Sequence, residues 1–589
     1  MDPQIQVASI ILILLGTLVW GRWRYDGVTL TALASMVLLG LVPAKEAFLG
    51  FGHPAVITVA LVLLISKALE KSGFINMIGD FLRQKVSGEM QFLIILMLVA
   101  GILSSFMNNI GAMAMLLPIT IGIAQKMEWN PSKFLMPLAF ASILGGMNTK
   151  IGTPPNIIIS EFREDYSNQS FEFFDFAFAG LPISILGILF IAFVGWRFVK
   201  LREEGSEKIP LVDIQDYLVE MTVSEDSILV GKRVHELTSE LGTDNVLIGV
   251  VSEKGTIRRP HHRETFEALQ ILVLKISPDD VAGVQTEFGL IIDPDLQDLS
   301  QLGELGEIEA MITPRSRLIG RKYNYFKRMS RGVLALLGLW RQGTKLRRRL
   351  AREIFKAGDV LLLSARDNDE NVAEKLELLG LMPLWQRELD VIRDTSRAWQ
   401  ALLIFALALV AVIFFKVNIL VAFLICVLAY ASRRLLTGEG IYRHIEWPVV
   451  VMLGAMIPIG GALTSSGLTV ASADFITANL SGVNVMWVLV VILVFTMFIS
   501  DLINNAATAV IMAPLSMQVA QQMNHPIEPF LMAVAVGASC AFLSPIGHQC
   551  NTLVMGPGNY RFGDYWKLGL PLEILIVCIS IPVIMNTWF

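Results

Sequence analysis

Four polar breaks interrupt long apolar stretches of this 589-residue sequence, and they are of two kinds. One kind reads Ser-Ser-Phe-Met-Asn-Asn-Ile-Gly at 104–111 and Ser-Asp-Leu-Ile-Asn-Asn-Ala-Ala at 500–507. The other reads Asn-Thr-Lys-Ile-Gly-Thr-Pro-Pro-Asn at 148–156 and Leu-Ser-Pro-Ile-Gly-His-Gln-Cys-Asn at 543–551. Non-helical backbone at membrane depth is tolerated only where it is buried in protein or lines a cavity. Its free carbonyls, with Ser, Thr and Asn oxygens, can coordinate Na⁺, while the N-termini of the restarting helices attract an anion. The breaks therefore predict an ion-binding site.

The breaks recur at a nearly constant spacing along the chain. Pro54 and Pro448 are 394 residues apart, and Asn109 and Asn505 are 396 apart. Gly152 and Gly547, in the second kind of break, are 395 apart. Internal similarity at a fixed spacing is the mark of a repeated architecture. We therefore expect two copies of one membrane unit, with their breaks near the bilayer midplane.

Composition and hydropathy define the elements that must position these breaks. The chain is 54% hydrophobic and only 17% charged, and seven apolar segments lie on each side of a charged block at about 200–397. This predicts an all-α polytopic membrane protein with a first repeat at 1–200 and a second at 398–589. Lys and Arg fall on one face only if 91–125 is a re-entrant hairpin opening to the cytoplasm and 485–522 one opening outside. We expect two inverted repeats, each with five spans plus a re-entrant helical hairpin, in the plasma (inner) membrane. The α+β insert would be cytoplasmic.

The insert itself contains two similar stretches. Leu-Val-Glu-Met-Thr-Val from 218 precedes Ser-Ile-Leu-Val-Gly from 227, and Ile-Glu-Ala-Met-Ile from 308 precedes Ser-Arg-Leu-Ile-Gly from 316. Each predicts a strand and then a turn that opens a helix, with a closing strand at 269–274 or 358–363. The pattern resembles tandem C-terminal RCK-type domains at 212–290 and 304–383. That resemblance implies dimerisation and a small regulatory ligand.

The membrane breaks resemble those of the divalent anion/sodium symporter family. The resemblance is carried by the first kind of break with its following helix, which contains Leu-Pro-Ile at 117–119 or Ala-Pro-Leu at 513–515, and by Gly-Thr-Pro-Pro-Asn at 152–156. Within that superfamily, the large insert is similar to the sulfate-permease branch. The family implies a homodimer that works by elevator-type alternating access.

The resemblance also implies site residues, carried over position by position. One sodium ion would be held by Ser104, Asn108, Asn109, Thr149 and Gly152. The mirrored sodium ion would be held by Ser500, Asn504, Asn505, Ser544 and Gly547. The anion would be bound by Asn109, Thr153, Asn505, His548 and Lys150.

Two departures from the family pattern bear on the substrate. Family members that take di- and tricarboxylates show Ser-Asn-Thr where this chain has Asn-Asn-Ile and Asn-Asn-Ala, which favours a compact oxyanion. Lys150 stands at membrane depth, where an ammonium is costly and by default marks function. It would supply charge to the anion, replace one sodium or couple protons, unless it snorkels or is satisfied in an ion pair. Asp501 is its expected counterion.

These features predict sodium-coupled uptake of a small divalent oxyanion, with sulfate first among candidates. The alternatives are a di- or tricarboxylate transporter and a proton-coupled anion transporter. Two further alternatives belong to other functional classes: an RCK-gated potassium transport protein and a non-transporting anion sensor. An enzyme is not expected, because no nucleophile–base or metal constellation emerges. Neither is a nucleic-acid partner, because the chain has no long basic block.

Overall fold

The computed structural model describes most of the chain as a helical assembly with one large β-sheet. The description covers residues 2–20, 23–74, 77–79, 81–82, 88–127, 129–199, 217–234, 237, 246–251, 257–258, 260, 264–276, 278–291, 305–313, 316–330, 333–341, 353–366, 371–385, 395–436, 445–479 and 483–589.

The described part of the first half folds into eight α-helices. A Pro begins α3 and another begins α7, where a missing N–H costs nothing. The helices are α1 (Pro3–Trp20), α2 (Tyr25–Leu38), α3 (Pro54–Leu69), α4 (Glu89–Phe106), α5 (Asn109–Lys126), α6 (Ser132–Gly146), α7 (Pro154–Ser167) and α8 (Asp175–Phe193).

The second half repeats this order of long helices and breaks. After the insert, which holds α9 (Pro278–Phe288), α10 (Tyr323–Ser330) and α11 (Asn371–Leu379), the described helices are α12 (Thr395–Phe414), α13 (Ile419–Ser432), α14 (Trp447–Ser465), α15 (Leu468–Asn479), α16 (Val485–Leu502), α17 (Asn505–Gln522), α18 (Glu528–Ser539), α19 (Gln549–Met555) and α20 (Tyr565–Trp588).

Seven helices in the described residues are long and apolar enough to cross a membrane: α1, α4, α8, α12, α14, α16 and α20. An 18-residue helix is about 27 Å long, close to the thickness of the hydrocarbon core. The predicted polytopic helical membrane protein is therefore confirmed. The inversion of the halves and the re-entrance of 91–125 and 485–522 stay predictions.

Small residues bring the helices around the breaks into backbone contact. A Cβ added to Gly145 in α6 would lie 2.2 Å from the carbonyl oxygen of Gly101 in α4. A Cβ added to Gly537 in α18 would lie 2.9 Å from the carbonyl oxygen of Leu493 in α16. Glycine is needed at 145 and 537 because no side chain fits between the two backbones. In each half, the helix before the second break is thus held directly on the helix before the first.

The described strands of the insert form one nine-stranded sheet. The order is β3-β2-β4-β1-β7-β8-β6-β9, and β5 pairs with β1 off this path. The strands are β1 (Tyr217–Val223), β2 (Val246–Val251), β3 (Ile257–Arg258), β4 (Ile271–Ile276), β5 (Leu290–Ile291), β6 (Leu305–Ile312), β7 (Leu334–Trp340), β8 (Val360–Arg366) and β9 (Leu381–Trp385).

We call the two predicted domains of the insert, 212–290 and 304–383, its first and second units. The sheet is continuous because β1 of the first unit pairs with β7 of the second. The pairing is antiparallel, with Leu218 opposite Leu339 and Val219 opposite Gly338. Each unit therefore covers an edge strand of the other, and edge strands are the usual sites of unwanted pairing. The two units of one chain associate with each other.

An ion pair fixes the turn that precedes β8. The Arg341 guanidinium donates to both carboxylate oxygens of Asp359 at 2.6 Å, and to Glu353 at 3.2 Å. Asp359 Oδ2 also accepts from the Lys356 N–H at 2.8 Å. The hydrogen bond to Asp359 raises the pKa of Arg341 above its ordinary value. Because Asp359 is almost fully buried, this bidentate contact holds the turn at 356–359 in one geometry.

Candidate functional site

The first tip is the break between α4 and α5. The Ser104 hydroxyl donates to Asn109 Oδ1 at 2.6 Å, and both side chains are buried. Asn108 Oδ1 accepts from the Ile110 N–H at 3.2 Å, which caps the start of α5. The structure thus brings a hydroxyl oxygen and two amide oxygens together at the first tip.

The second tip, between α16 and α17, has the same hydrogen bonds. The Ser500 hydroxyl donates to Asn505 Oδ1 at 3.1 Å and to the carbonyl of Ala538 at 2.7 Å. Asn504 Oδ1 accepts from the Ala506 N–H at 2.9 Å. The Ser-Asn pair and the Asn cap therefore recur at the spacing found in the sequence.

The first turn is the stretch between α6 and α7, and it is tied to the first tip. The Thr149 hydroxyl donates to the carbonyl of Ser105 and accepts from the Gly152 N–H, the latter at 3.2 Å. Asn156 Nδ2 donates to the carbonyl of Thr149 at 2.8 Å. Thr149 and Gly152, two predicted sodium ligands, thus share one hydrogen-bonded loop beside the tip.

The second turn, between α18 and α19, repeats these bonds. The Ser544 hydroxyl donates to the carbonyl of Asp501 at 2.9 Å and accepts from the Gly547 N–H at 3.2 Å. Asn551 Nδ2 donates to the carbonyl of Ser544 at 3.1 Å. Asn551 Oδ1 is buried without a hydrogen-bond partner among the described residues. A buried acceptor without a donor is costly, and a cation or a water molecule would complete it.

The two halves meet at Asn109 and His548. Asn109 Nδ2 lies 3.3 Å from His548 Nε2. His548 Nδ1 accepts from the Cys550 N–H at 3.1 Å, so the neutral ring carries its proton on Nε2. Because Asn109 Oδ1 already accepts from Ser104, the Asn109 NH₂ group faces this second donor. Two donors that face each other can both bind an acceptor atom, such as an oxyanion oxygen.

The other predicted anion-site residues lie on the same breaks. Thr153 is buried just before α7, the place that His548 occupies before α19. Its side chain makes no capping hydrogen bond to α7, whereas that of His548 caps α19. Asn505 is buried at the second tip. In the described part of the chain, Asn109 and His548 are the two members of the predicted anion site that make a polar contact across the halves.

Lys150 is buried in the first turn, but its charged neighbours differ from the expectation. Its N–H donates to the carbonyl of Phe173 at 3.0 Å. Among the carboxylates, Glu161 in α7 has the largest electrostatic effect on the Lys150 ammonium, followed by Glu164 and Asp175. Sequence reasoning missed Glu161 because 160–165 has the composition of an exposed helix end. The carboxylates that act electrostatically on the Lys150 ammonium are therefore these three, and not the expected Asp501.

Asp501 instead belongs to a buried carboxyl pair with Glu573. Asp501 Oδ1 accepts from the Leu543 N–H at 2.9 Å, and Glu573 Oε1 accepts from the Phe542 N–H at 3.4 Å. The two carboxyl groups lie side by side between the second turn and α20. Sequence reasoning also missed Glu573, although an acidic residue inside the last apolar segment was a usable signal.

The first half has a neutral hydrogen-bonded chain in the corresponding place. The Ser184 hydroxyl donates to Asn148 Oδ1 at 3.0 Å, and Asn148 Nδ2 donates to the Ser105 hydroxyl at 3.0 Å. These serines connect the first tip to α8 as Asp501 and Glu573 connect the second tip to α20. The two halves thus have the same scaffold and different charge.

Paired helix breaks, buried among apolar helices and lined with neutral oxygens and N–H groups, define a multi-pass membrane transporter. Comparison with known proteins gives the family. The model of the citrate transporter family matches residues 15–537 and 477–588, and the chain belongs to this family.

Several relatives extend over nearly the whole chain. An uncharacterized transporter of Escherichia coli (strain K12), YfbS, is 29% identical over 98% of both chains. A putative sulfur deprivation response regulator of Chlamydomonas reinhardtii is 24% identical over 94% of this chain and 97% of its own. Sodium/sulfate cotransporter 2 of the same alga is 24% identical over 58% of this chain and 41% of its own. The predicted transporter class is confirmed.

Proposed function

We propose that the protein is a secondary active transporter that imports a small divalent oxyanion together with Na⁺. Sulfate is the first candidate, and movement of the tips and turns as one unit gives elevator-type alternating access. The observation that carries the proposal is the pair of donors formed by Asn109 and His548, which would bind one oxyanion oxygen between the halves.

The sodium part of the proposal rests on the oxygens of the two tips and turns. Ser104, Asn108, Asn109, Thr149 and Gly152 would form one site, and Ser500, Asn504, Asn505, Ser544 and Gly547 the other. Neutral hydroxyl, amide and carbonyl oxygens suit a dehydrated monovalent cation, because the anion supplies the compensating charge. The names of the algal sodium/sulfate cotransporters add support at the level of distant similarity.

Further parts of the proposal concern the insert, the oligomeric state and the location of the protein. The insert units would be RCK-type regulatory domains that bind a small ligand. The support for this is that each unit has the strand, the Ser-x-Leu-x-Gly turn and the closing strand of that pattern. The protein would be a homodimer of the plasma membrane, with inverted halves and a cytoplasmic insert. In this arrangement, ligand binding to the insert adjusts the uptake rate.

A second candidate substrate is a di- or tricarboxylate, because the matching family is described by citrate. The tips argue for the smaller anion, since Ile110 and Ala506 stand where carboxylate-binding members have Thr. Each hydroxyl donor missing from the site would weaken carboxylate binding by about 1 kcal/mol.

The test is uptake into proteoliposomes that contain the purified protein. Radiolabelled sulfate should enter only with an inward sodium gradient, and unlabelled citrate should compete weakly. Stronger uptake of citrate than of sulfate would select the second substrate, and sulfate uptake that follows pH alone would select proton coupling. Potassium flux without anion flux would select an RCK-gated potassium protein, and binding without any flux a sensor.

Lys150→Met should raise the KM for the anion about tenfold, because a hydrogen bond to a charged group contributes about 1.5–3 kcal/mol. The matched control is the double variant Lys150→Met with Glu161→Gln, which also removes the carboxylate with the largest electrostatic effect on Lys150. If Lys150 binds the anion, the double variant stays impaired in the uptake assay. Recovery of a normal KM would show that Lys150 serves only as the partner of Glu161.

A further inference from the structure

The second insert unit touches both helices that begin at the candidate site. Helix α5 begins at Asn109, and β9 of the insert lies against it. Helix α19 begins directly after His548, and Gly556 at its end meets Gly358 of the insert. Asn109 and His548 face each other at the candidate site. The insert therefore contacts, in each half, the helix that begins at that site.

The contact at Gly556 is between two backbones. A Cβ added to Gly556 would lie 2.9 Å from the carbonyl oxygen of Gly358. Gly358 has a φ of +83°, in the left-handed region that favours glycine. The contact therefore depends on glycine on both sides, at 556 for space and at 358 for backbone conformation.

The insert side of this contact is rigid. Gly358 lies in the turn that the Arg341–Asp359 ion pair fixes, and its N–H donates to the carbonyl of Ile312 at 2.9 Å. Helix α19 is short, with seven residues, so it joins this turn to His548 over about 10 Å. A displacement at either end is transmitted along one helix instead of being absorbed by a loop.

The insert is also joined by the chain to two differently packed groups of helices. It follows α8, which packs with α4, α6 and α20 around the breaks. It precedes α12, which packs with α13 and α3 in a second hydrophobic cluster, where Met107 and Ile151 of the first breaks contact this group. If the breaks move relative to the second group during transport, the insert spans the moving boundary.

We propose that the second insert unit is an autoinhibitory clamp on α5 and α19, in which the Gly358–Gly556 backbone contact restrains α19. This inference rests on the proposed transport function, because it assigns a rate-setting role within it. In the clamped state the tips and turns stay where the structure has them. Release of the contact lets α19 and α5 move together, so it raises the maximal uptake rate and leaves the KM for anion and Na⁺ unchanged.

Gly556→Ala tests the clamp, because its methyl group pushes the insert away. The expected result is a rise in maximal uptake rate of about fivefold, at the lower end of allosteric couplings. Arg341→Ala, which frees the turn from the insert side, should give the same rise. The matched control is Gly563→Ala, where an added Cβ meets nothing within 4 Å. An unchanged or lower rate in Arg341→Ala, at normal amounts in the membrane, would overturn the clamp even where Gly556→Ala fails to fold.

Hydrogen–deuterium exchange separates this idea from the choice of substrate. Amides of α5 and α19 should exchange faster in Gly556→Ala and Arg341→Ala than in Gly563→Ala, whatever anion is carried. Equal exchange in all three proteins would reject the clamp. Faster exchange without sulfate uptake would retain the clamp and reject the substrate.

Discussion

Asn109→Ala should lower anion uptake by at least about 100-fold. The change removes the acceptor of the Ser104 hydroxyl and the donor that faces His548, both in a buried site. Each buried polar group left unpaired costs about 1–3 kcal/mol, and 1.4 kcal/mol is tenfold in an equilibrium constant. Asn505→Ala, the same change at the second tip, should have a similar effect. The measurement is initial uptake rate in proteoliposomes at matched protein amounts.

The control for this pair is Asn484→Ala. Asn484 also caps a helix start, accepting from the Met486 N–H at 2.9 Å, but it is exposed and lies at the other end of α16 from the tip. Its loss should cost about 1 kcal/mol of stability and leave the uptake rate unchanged. If Asn109→Ala and Asn505→Ala both transport normally, the tips are not the site.

Gly146→Ala should lower uptake by about 10- to 100-fold without removing any polar group. A Cβ at this position would lie 2.2 Å from Asn109 Oδ1, so Asn109 must leave its contact with Ser104. Overpacking of this kind typically costs about 1–3 kcal/mol. The uptake rate measures the effect, and chromatography of the purified protein verifies the fold.

The matched control is Gly122→Ala in α5, where the added methyl group meets nothing within 4 Å. An exposed helical glycine replaced by alanine should be neutral or slightly stabilising. Equal uptake in the two variants would mean that the position of Asn109 does not set the rate.

The sequence predicted the helix breaks closely because they depend on local chemistry. Asn108 and Asn504 are helix caps by type and position, and α5 and α17 begin one residue after them. The two closing strands of the insert begin two residues after the predicted starts, at Ile271 and Val360. Polar capping residues thus locate the ends of helices well, and alternating hydrophobicity locates strands.

Partners that come from distant segments were not predictable in the same way. Glu573 meets Asp501 only because α20 packs behind the second turn. Glu161 is closer in sequence to Lys150, but it acts on the ammonium only because the fold buries both side chains. The pairing of β1 with β7 likewise depends on how two units of similar sequence dock. Each of these is a tertiary choice among many residues of suitable type, and a single sequence does not rank them.

The charge difference between the halves has a consequence for how such a protein can evolve. Ser105 and Ser184 are neutral, whereas Asp501 and Glu573 bring two acidic groups to the corresponding place. In an assembly of two identical subunits, any mutation appears twice, so both sides would gain or lose the acids together. With both halves encoded in one gene, each can be tuned by itself, and the two proposed ion sites are free to acquire different affinities.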